Sequence, residues 1–408
     1  MIALFAIYLF YFVSCHGFVA YSPTKMSAGK ALIVQNKGGG HGELGYHLAN
    51  ILTAQGISVT LLQDNSANRS KQPFSSYSQL EEKGVNVIWG EFSKEISKNL
   101  PENEKFDFVF DNFAKNKETA SDIAQKAKSW GVKNYVYVSS AGMYKNSEEV
   151  PLLETDPVKE TGQREVELLA EEMDLPWTAF RPQYIYGPLM NKRDYLDWFF
   201  DRITWALDTI PMPHHGDQFV TITRAEDVAS MMASVIDNPK ATKQVFNCAS
   251  TRSITYNDLL RRVAEACGSD YSKIKINPYD PKKFGVENGF FPFRENHFFV
   301  SCDKAVNLLN WSPEFDLVED LEWYKYSYIA AGKADSPPNF ETDDAINSKI
   351  EGYLSWGERF GDKERHPDLH ENLESIRKTM IPMTKEYYIG MLDKHKYDSA
   401  IEHHSQEH

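Results

Sequence analysis

The chain has little cysteine. Cys15, Cys248, Cys267 and Cys302 are widely spaced among 408 residues, and none forms a CxxC pair. That spacing argues against a disulfide framework or a zinc site, so reduced thiols are expected. Basic charge is scarce too: 44 Lys and Arg face 58 Asp and Glu, a formal net charge of −14. A chain this acidic gains no bulk attraction to nucleic acid, so any RNA contact has to come from a local basic patch. Long apolar runs are missing except near the start, where "IALFAIYLFYFV" (2–13) runs for 12 residues. This is too short for a comfortable membrane span but suits a signal-peptide core. The stretch "FVAYSPTKMSAGK" (18–30) carries hydroxyls and two lysines and no acid, which is transit-peptide chemistry. Residues 1–17 therefore read as a signal peptide and 18–30 as a transit-like leader. The mature protein is expected to be soluble, with no membrane partner. No internal repeat is visible.

What remains is a globular composition, 42% hydrophobic and 13% aromatic. Apolar runs at "ALIVQ" (31–35), "ISVTLLQ" (57–63), "VNVIW" (85–89), "FDFVFD" (106–111) and "NYVYVS" (134–139) read as strands. Helical spacing separates them at 43–56 and 117–131, and recurs at 193–207, 227–236 and 255–268. This alternation predicts an α/β fold, a Rossmann-like doubly wound parallel sheet. Residues 31–332 form the domain, with a smaller C-terminal α/β lobe drawn mainly from 183–220 and 255–332. The polar, proline-bearing "ADSPPNFETDD" (334–344) opens a linker and charged C-terminal extension, 333–408.

Gly39, Gly42 and Gly45 form GxxGxxG directly after the first strand. Such glycines serve a tight turn, a close approach to a pyrophosphate and close helix–strand packing. The helix N-terminus behind them offers unpaired N–H groups to phosphates. Asp64, 19 residues beyond Gly45 at the end of the second strand, stands where an acid would hold a ribose. No arginine lies beside it to favour a 2′-phosphate, the nearest being Arg69, so NAD is favoured over NADP if a dinucleotide binds. A glycine loop kept for packing alone is the competing reading. His41, within this loop, either faces a phosphate or caps the turn.

GxxGxxG, "VSSAGMY" (138–144), "FRPQYIYGP" (180–188), "FVTITRAEDVA" (219–229) and "VFNCAS" (245–250), in this order, resemble the extended short-chain dehydrogenase/reductase superfamily. The resemblance implies an NAD-dependent epimerase or dehydratase domain of the kind acting on nucleotide sugars. Such enzymes carry Tyr and Lys at i and i+4 on one helix face, the lysine lowering the pKa of the phenol. Counting back from Glu167 puts Lys159 and Gln163 in those places, and neither can do that work. Tyr271 with Lys275 and Tyr279 with Lys283 have the spacing but not the context. Ser139 and Ser140 could bind a ligand, but a serine pair ending a strand is more often structural.

A narrower resemblance accounts for the loss. "GGGHGELGYHLA", "FVFDNFAKN" (108–116), "YVSSAGMYK" (137–145), "FRPQYIYGPLMNKRDYLDWFFDRI" (180–203) and "FPFRENHFF" (291–299) resemble the chloroplast stem-loop-binding protein family. The resemblance implies RNA binding and divalent-metal-dependent endoribonuclease activity, with plastid transcripts and ribosomes as partners. Self-association stays open. The signal-plus-transit leader resembles the bipartite leaders of algae with secondary plastids, which implies a plastid location; secretion is the alternative. If RNA is cleaved, Asp111 and Asn112 at a strand end are the catalytic candidates, with Asp111 holding Mg²⁺. An Asp/Asn pair there also commonly caps a turn. Asp107, alternating with the apolar positions of this strand, reads as structural. Lys115, Arg193, Arg202, Arg294 and His297 are candidate RNA contacts. Tyr195, Trp198 and Phe199 would supply stacking surfaces, though aromatics at helical spacing are commonly core.

Overall fold

The computed structural model describes residues 29–36, 42–93, 95–190, 194–286 and 289–360. The leader at 1–28, Gly39, His41, Arg193 and the tail from 361 lie outside the described residues.

The first half of the chain alternates as its pattern predicts. Strands β1 (Lys30–Gln35), β2 (Ser58–Asp64), β3 (Asn86–Gly90), β4 (Phe108–Asn112), β5 (Asn134–Val138) and β6 (Trp177–Pro182) are separated by helices, except that only a short 3₁₀ turn (Ile96–Asn99) stands between β3 and β4. The helices are α1 (Gly42–Ala54), α2 (Tyr77–Glu82), α3 (Lys117–Trp130) and α4 (Gly162–Glu172). Four short strands follow, β7 (Ile185–Tyr186), β8 (Thr209–Pro213), β9 (Phe219–Val220) and β10 (Thr223–Arg224), with α5 (Asp197–Thr204) between β7 and β8. Helix α6 (Ala225–Ala233) then leads into β11 (Gln244–Cys248). The main sheet has seven strands in the order β11-β6-β5-β4-β1-β2-β3, and every pairing is parallel.

Strand β1 shows why the sheet is covered on both sides. Successive side chains point to opposite faces. Ala31 and Ile33 enter the core beneath α1 and α6, while Leu32 and Val34 enter the core beneath α3 and α4. A strand apolar at every position is stable only between two helical layers. Helix α3 starts where Asn116 and Thr119 form a reciprocal capping box.

The smaller lobe adds β12 (Ile254–Thr255), α7 (Tyr256–Ala266), β13 (Lys275–Tyr279), α8 (Pro281–Phe284) and α10 (Leu317–Ala330), while α9 (Asp303–Leu309) returns to the main core and packs beside β11. Strand β13 pairs with β8 in parallel and β12 with β9 antiparallel. Its core is aromatic: Phe199, Phe200, Tyr256, Phe293, Tyr324 and Tyr328 are buried together.

Two expected boundaries are corrected. The helix expected over 193–207 is confined to α5, because Asp194 accepts the N–H groups of Leu196 and Asp197 and turns the chain before it. The lobe also does not end at 332. Residues 334–360 pack onto it through α11 (Glu341–Asn347) and α12 (Trp356–Phe360). Phe340, Asp343, Ile346 and Asn347 are buried, and Trp356 packs edge-on against Trp205. The polar composition of 334–344 concealed these anchors. No helix among the described residues is long and apolar enough to cross a membrane.

Candidate functional site

Strands β1 and β4 are neighbours, yet the chain runs outward from them in opposite directions. Ligands of doubly wound sheets bind in the crevice at such a switch point, beyond the carboxyl ends of the strands. Gln35, Asp64 and Asn112 end β1, β2 and β4 there, and Ser139 follows β5.

The dinucleotide candidates divide. Gly42 opens α1. A Cβ placed on Gly45 would overlap the Gln35 side chain, so only glycine lets the first turn of α1 pack on the end of β1. Gln35 Oε1 accepts from Asn112 Nδ2 at 2.9 Å, tying β1 to β4. Its Nε2 is a buried donor with no partner among the described residues. Asp64 sits at the end of β2, where its Oδ1 accepts from Ser66 N–H at 2.9 Å. Arg69 lies over the Trp89 ring at 4.1 Å. The orphaned buried donor at the end of β1 fits a dinucleotide phosphate, while the Gly45 contact is close helix–strand packing.

The metal candidate does not fit. Asp111 is 1% exposed. Its Oδ1 accepts from the N–H groups of Phe113 and Ala114, each at 2.9 Å, and its Oδ2 accepts from the Tyr135 hydroxyl at 2.7 Å. Burial pushes this carboxyl above the usual range, against the pull of these three donors. Asp111 therefore holds the turn after β4, the capping role open to an Asp at a strand end. Among the described residues no three His, Cys, Asp or Glu side chains gather to hold a metal ion. Asp107 accepts from Lys30 N–H and pairs with Lys133, a structural role.

The helix expected to carry the catalytic pair begins too late. Thr161 caps α4, so Lys159 is exposed in the segment before it, while Gln163 lies in the first turn. A Cβ on Gly162 would overlap the backbone carbonyl of Lys115, which brings the start of α4 hard against the loop after β4. Glu167 is buried beneath. Arg181 Nε and Nη2 donate to it at 3.0 and 2.7 Å, Arg164 at 2.8 Å and the Ser139 hydroxyl at 2.8 Å. Burial alone would raise the Glu167 carboxyl; Arg181, Arg164 and Ser139 outweigh it and hold the group below its ordinary value. Ser140 caps a short turn by accepting from Gly142 N–H. Both serines are therefore structural. Arg181 was not singled out by spacing, because it meets Glu167 only when β6 and α4 pack. Tyr271 and Lys275 lie on different elements, as do Tyr279 and Lys283.

The RNA candidates are corrected in part. Arg202 is 4% exposed. Its Nε and Nη2 donate to Asp343 at 2.8 Å each, and its guanidinium lies 3.6 Å from the Trp198 ring centroid. It is a core residue, as are Trp198 and Phe199. Tyr195 is half-buried and packs edge-on against Tyr184. Arg294 is half-buried: it donates to the carbonyls of Gly142 and Tyr144 at 2.5 and 3.1 Å and lies over the Phe298 ring at 3.8 Å. It thereby ties the smaller lobe to the loop after β5. His297 Nδ1 accepts from Phe219 N–H at 3.0 Å, and its ring stacks on Phe219. Lys115 is exposed at the crevice.

Residues 39–239 match an NAD(P)H-binding domain family. The chain is 33% identical, over 320 residues, to the chloroplast stem-loop binding protein of 41 kDa b of Arabidopsis thaliana. That match covers 76% of this chain and 83% of the relative. Among solved structures, dTDP-glucose 4,6-dehydratase of Bacillus anthracis in complex with NAD aligns with a TM-score of 0.59 at 14% identity, covering 75% of this chain and 98% of that one. UDP-glucose 4-epimerase of Thermotoga maritima with UDP-glucose aligns at 0.57 and 18%, covering 74% and 99%. These structural likenesses show the fold, the Rossmann-like sheet with its second lobe.

Proposed function

The chain belongs to the family of the chloroplast stem-loop binding protein, and from that premise we propose that it is a plastid protein that binds structured RNA on a dinucleotide-binding scaffold. The observation that carries this reading is sequence likeness to a stem-loop binder over most of both chains. The site supports it: the segment that would bear the Tyr–Lys pair bears Lys159 outside the helix and Gln163 inside it. Hydride chemistry on a nucleotide sugar lacks its proton carrier here. Arg294 also bridges the two lobes through the carbonyls of Gly142 and Tyr144.

A dinucleotide bound beside the RNA is the second reading, favoured by the Gly45–Gln35 packing and the orphaned Gln35 Nε2. Gln35 would donate toward the phosphates and Asp64 would accept from the ribose. A bound nicotinamide would supply hydride exchange; Lys159 and Gln163 stand where the matching proton transfer would be made. The test is direct titration of a stem-loop RNA into the purified full chain, followed by incubation of the chain with NAD and a nucleotide sugar. Saturable RNA binding without hydride exchange is expected. No RNA binding, or turnover of the sugar, would overturn the proposal.

A further inference from the structure

We propose that Lys145, Lys159 and Lys115 form a phosphate-binding strip at the mouth of the crevice, occupying the place where the superfamily's reactive pair would stand. This rests on the RNA-binding reading above and deepens it by naming the surface that holds the backbone of the RNA.

The geometry comes from one small antiparallel contact. Tyr144 and Val158 face each other across a β-bridge. Lys145 N–H donates to the Pro157 carbonyl at 3.0 Å and Lys159 N–H to the Met143 carbonyl at 2.8 Å. Side chains alternate across such a pair. Tyr144 turns inward, is fully buried and hydrogen-bonds to Asn247, so the residues after each bridge partner turn outward. Lys145 and Lys159 are both exposed. They stand diagonally on one face, about 7–8 Å apart as diagonal cross-strand neighbours are. Arg294 holds this piece in place from below, through the carbonyls of Gly142 and Tyr144.

The third lysine is brought in by a close packing that only glycine allows. Gly162, three residues after Lys159, rests against the Lys115 carbonyl. The loops after β4 and β5 and the segment before α4 therefore converge at one edge, each carrying an exposed lysine. None of the three ammonium groups has a hydrogen-bonding or ion-pair partner among the described residues. Elsewhere Lys117, Lys133, Lys243 and Lys333 are all paired with acids. Glu160 follows Lys159, and Glu148 and Glu149 lie further along the same loop, all exposed. The strip thus offers discrete contacts, not a broad positive field. That is how a chain of net charge −14 can hold a polyanion: by a few placed cations whose counterions are released. Phosphate contacts of this kind position an RNA without reading its bases.

The experiment replaces the three lysines together, Lys115→Ala, Lys145→Ala and Lys159→Ala, in the full chain. A control of equal charge change replaces Lys105, Lys126 and Lys240. These are exposed residues on α3 and in the segments before β4 and β11, away from the crevice mouth. Binding of a stem-loop RNA is followed against salt concentration, with thermal melting as the check on folding. The strip variant is expected to bind at least about tenfold more weakly, and its log K against log salt to flatten by about one unit per lysine. The control is expected to stay close to the parent chain. Equal losses in both triple variants would refute the strip while leaving RNA binding standing. No binding by the parent chain would remove the functional reading itself.

Discussion

Replacing Asp343 by Ala tests whether Arg202 belongs to the core or to an RNA surface. The pair is enclosed: Arg202 is 4% exposed and Asp343 0%. Two parallel hydrogen bonds of 2.8 Å join them, and a third runs from Arg202 Nη1 to the Trp198 carbonyl at 2.9 Å. Burial holds the Asp343 carboxyl above its usual range and the Arg202 guanidinium below its own, so desolvation exceeds their mutual attraction. Removing the carboxylate leaves a buried cation with two unpaired donors, a loss of about 3–5 kcal/mol. Against a domain stability of about 5–15 kcal/mol, that is a large fraction. Replacing both partners, Arg202→Met with Asp343→Leu, removes the desolvation cost along with the attraction and is expected to be neutral or stabilising. The assay is urea unfolding followed by tryptophan fluorescence, to which Trp198, Trp205 and Trp356 of this lobe contribute. RNA affinity is measured on the same proteins. A loss below about 1 kcal/mol for Asp343→Ala would refute the burial argument. So would a double variant that is fully stable yet loses RNA, because that outcome would return Arg202 to the binding surface.

Two further outcomes follow from buried carboxyls. Asp111→Ala orphans the Tyr135 hydroxyl and two backbone N–H groups, and is expected to lower stability by on the order of 3 kcal/mol while the folded fraction binds RNA normally; a stable variant with selective loss of RNA chemistry would reinstate Asp111 as a reactive residue. Burial, and then the neighbouring Asp197 charge, push the Asp194 carboxyl up to about 7. The folded chain therefore keeps a proton that the unfolded chain has lost, and the stability from this group is complete below about pH 4 and fades as pH rises toward 7, by up to about 1.4 kcal/mol per unit. Asp227 is held at a similar value by burial, so Asp194→Asn is expected to flatten the slope of unfolding midpoint against pH without abolishing it; identical slopes would refute the assignment.

The sheet was legible because its evidence is local. Continuous apolar runs and glycine-terminated helices each act over a few residues, and the observed strands fall within one or two residues of the pattern. The smaller lobe was less legible because its determinants are distant in sequence. Arg202 and Trp198 at helical spacing look the same whether they face solvent or Asp343, which lies 141 residues further on. The polar stretch 334–344 hid its anchors for the same reason: Phe340 and Asp343 are single residues in a hydrophilic run, and a composition window averages them away. Asp111 misled in the opposite direction. Its position at a strand end is shared by metal ligands and turn caps, and only the three donors around it separate the two.

The same logic explains how the fold keeps its frame while the chemistry changes. The Glu167–Arg181 pair, with Ser139 and Arg164, is enclosed by β5, β6 and α4 and would cost several kcal/mol to break singly. It fixes the carboxyl side of the sheet whatever stands at positions 159 and 163. Those two positions face outward or into the first turn, where substitutions typically fall within about 0.5 kcal/mol. A Tyr–Lys pair can therefore be lost without loss of the fold, and a lysine placed there is exposed, close to Lys145 and Lys115. Enzymatic hydride transfer demands one phenol at one point; an RNA backbone accepts cations at several. The proposed strip of Lys115, Lys145 and Lys159 would meet the second requirement.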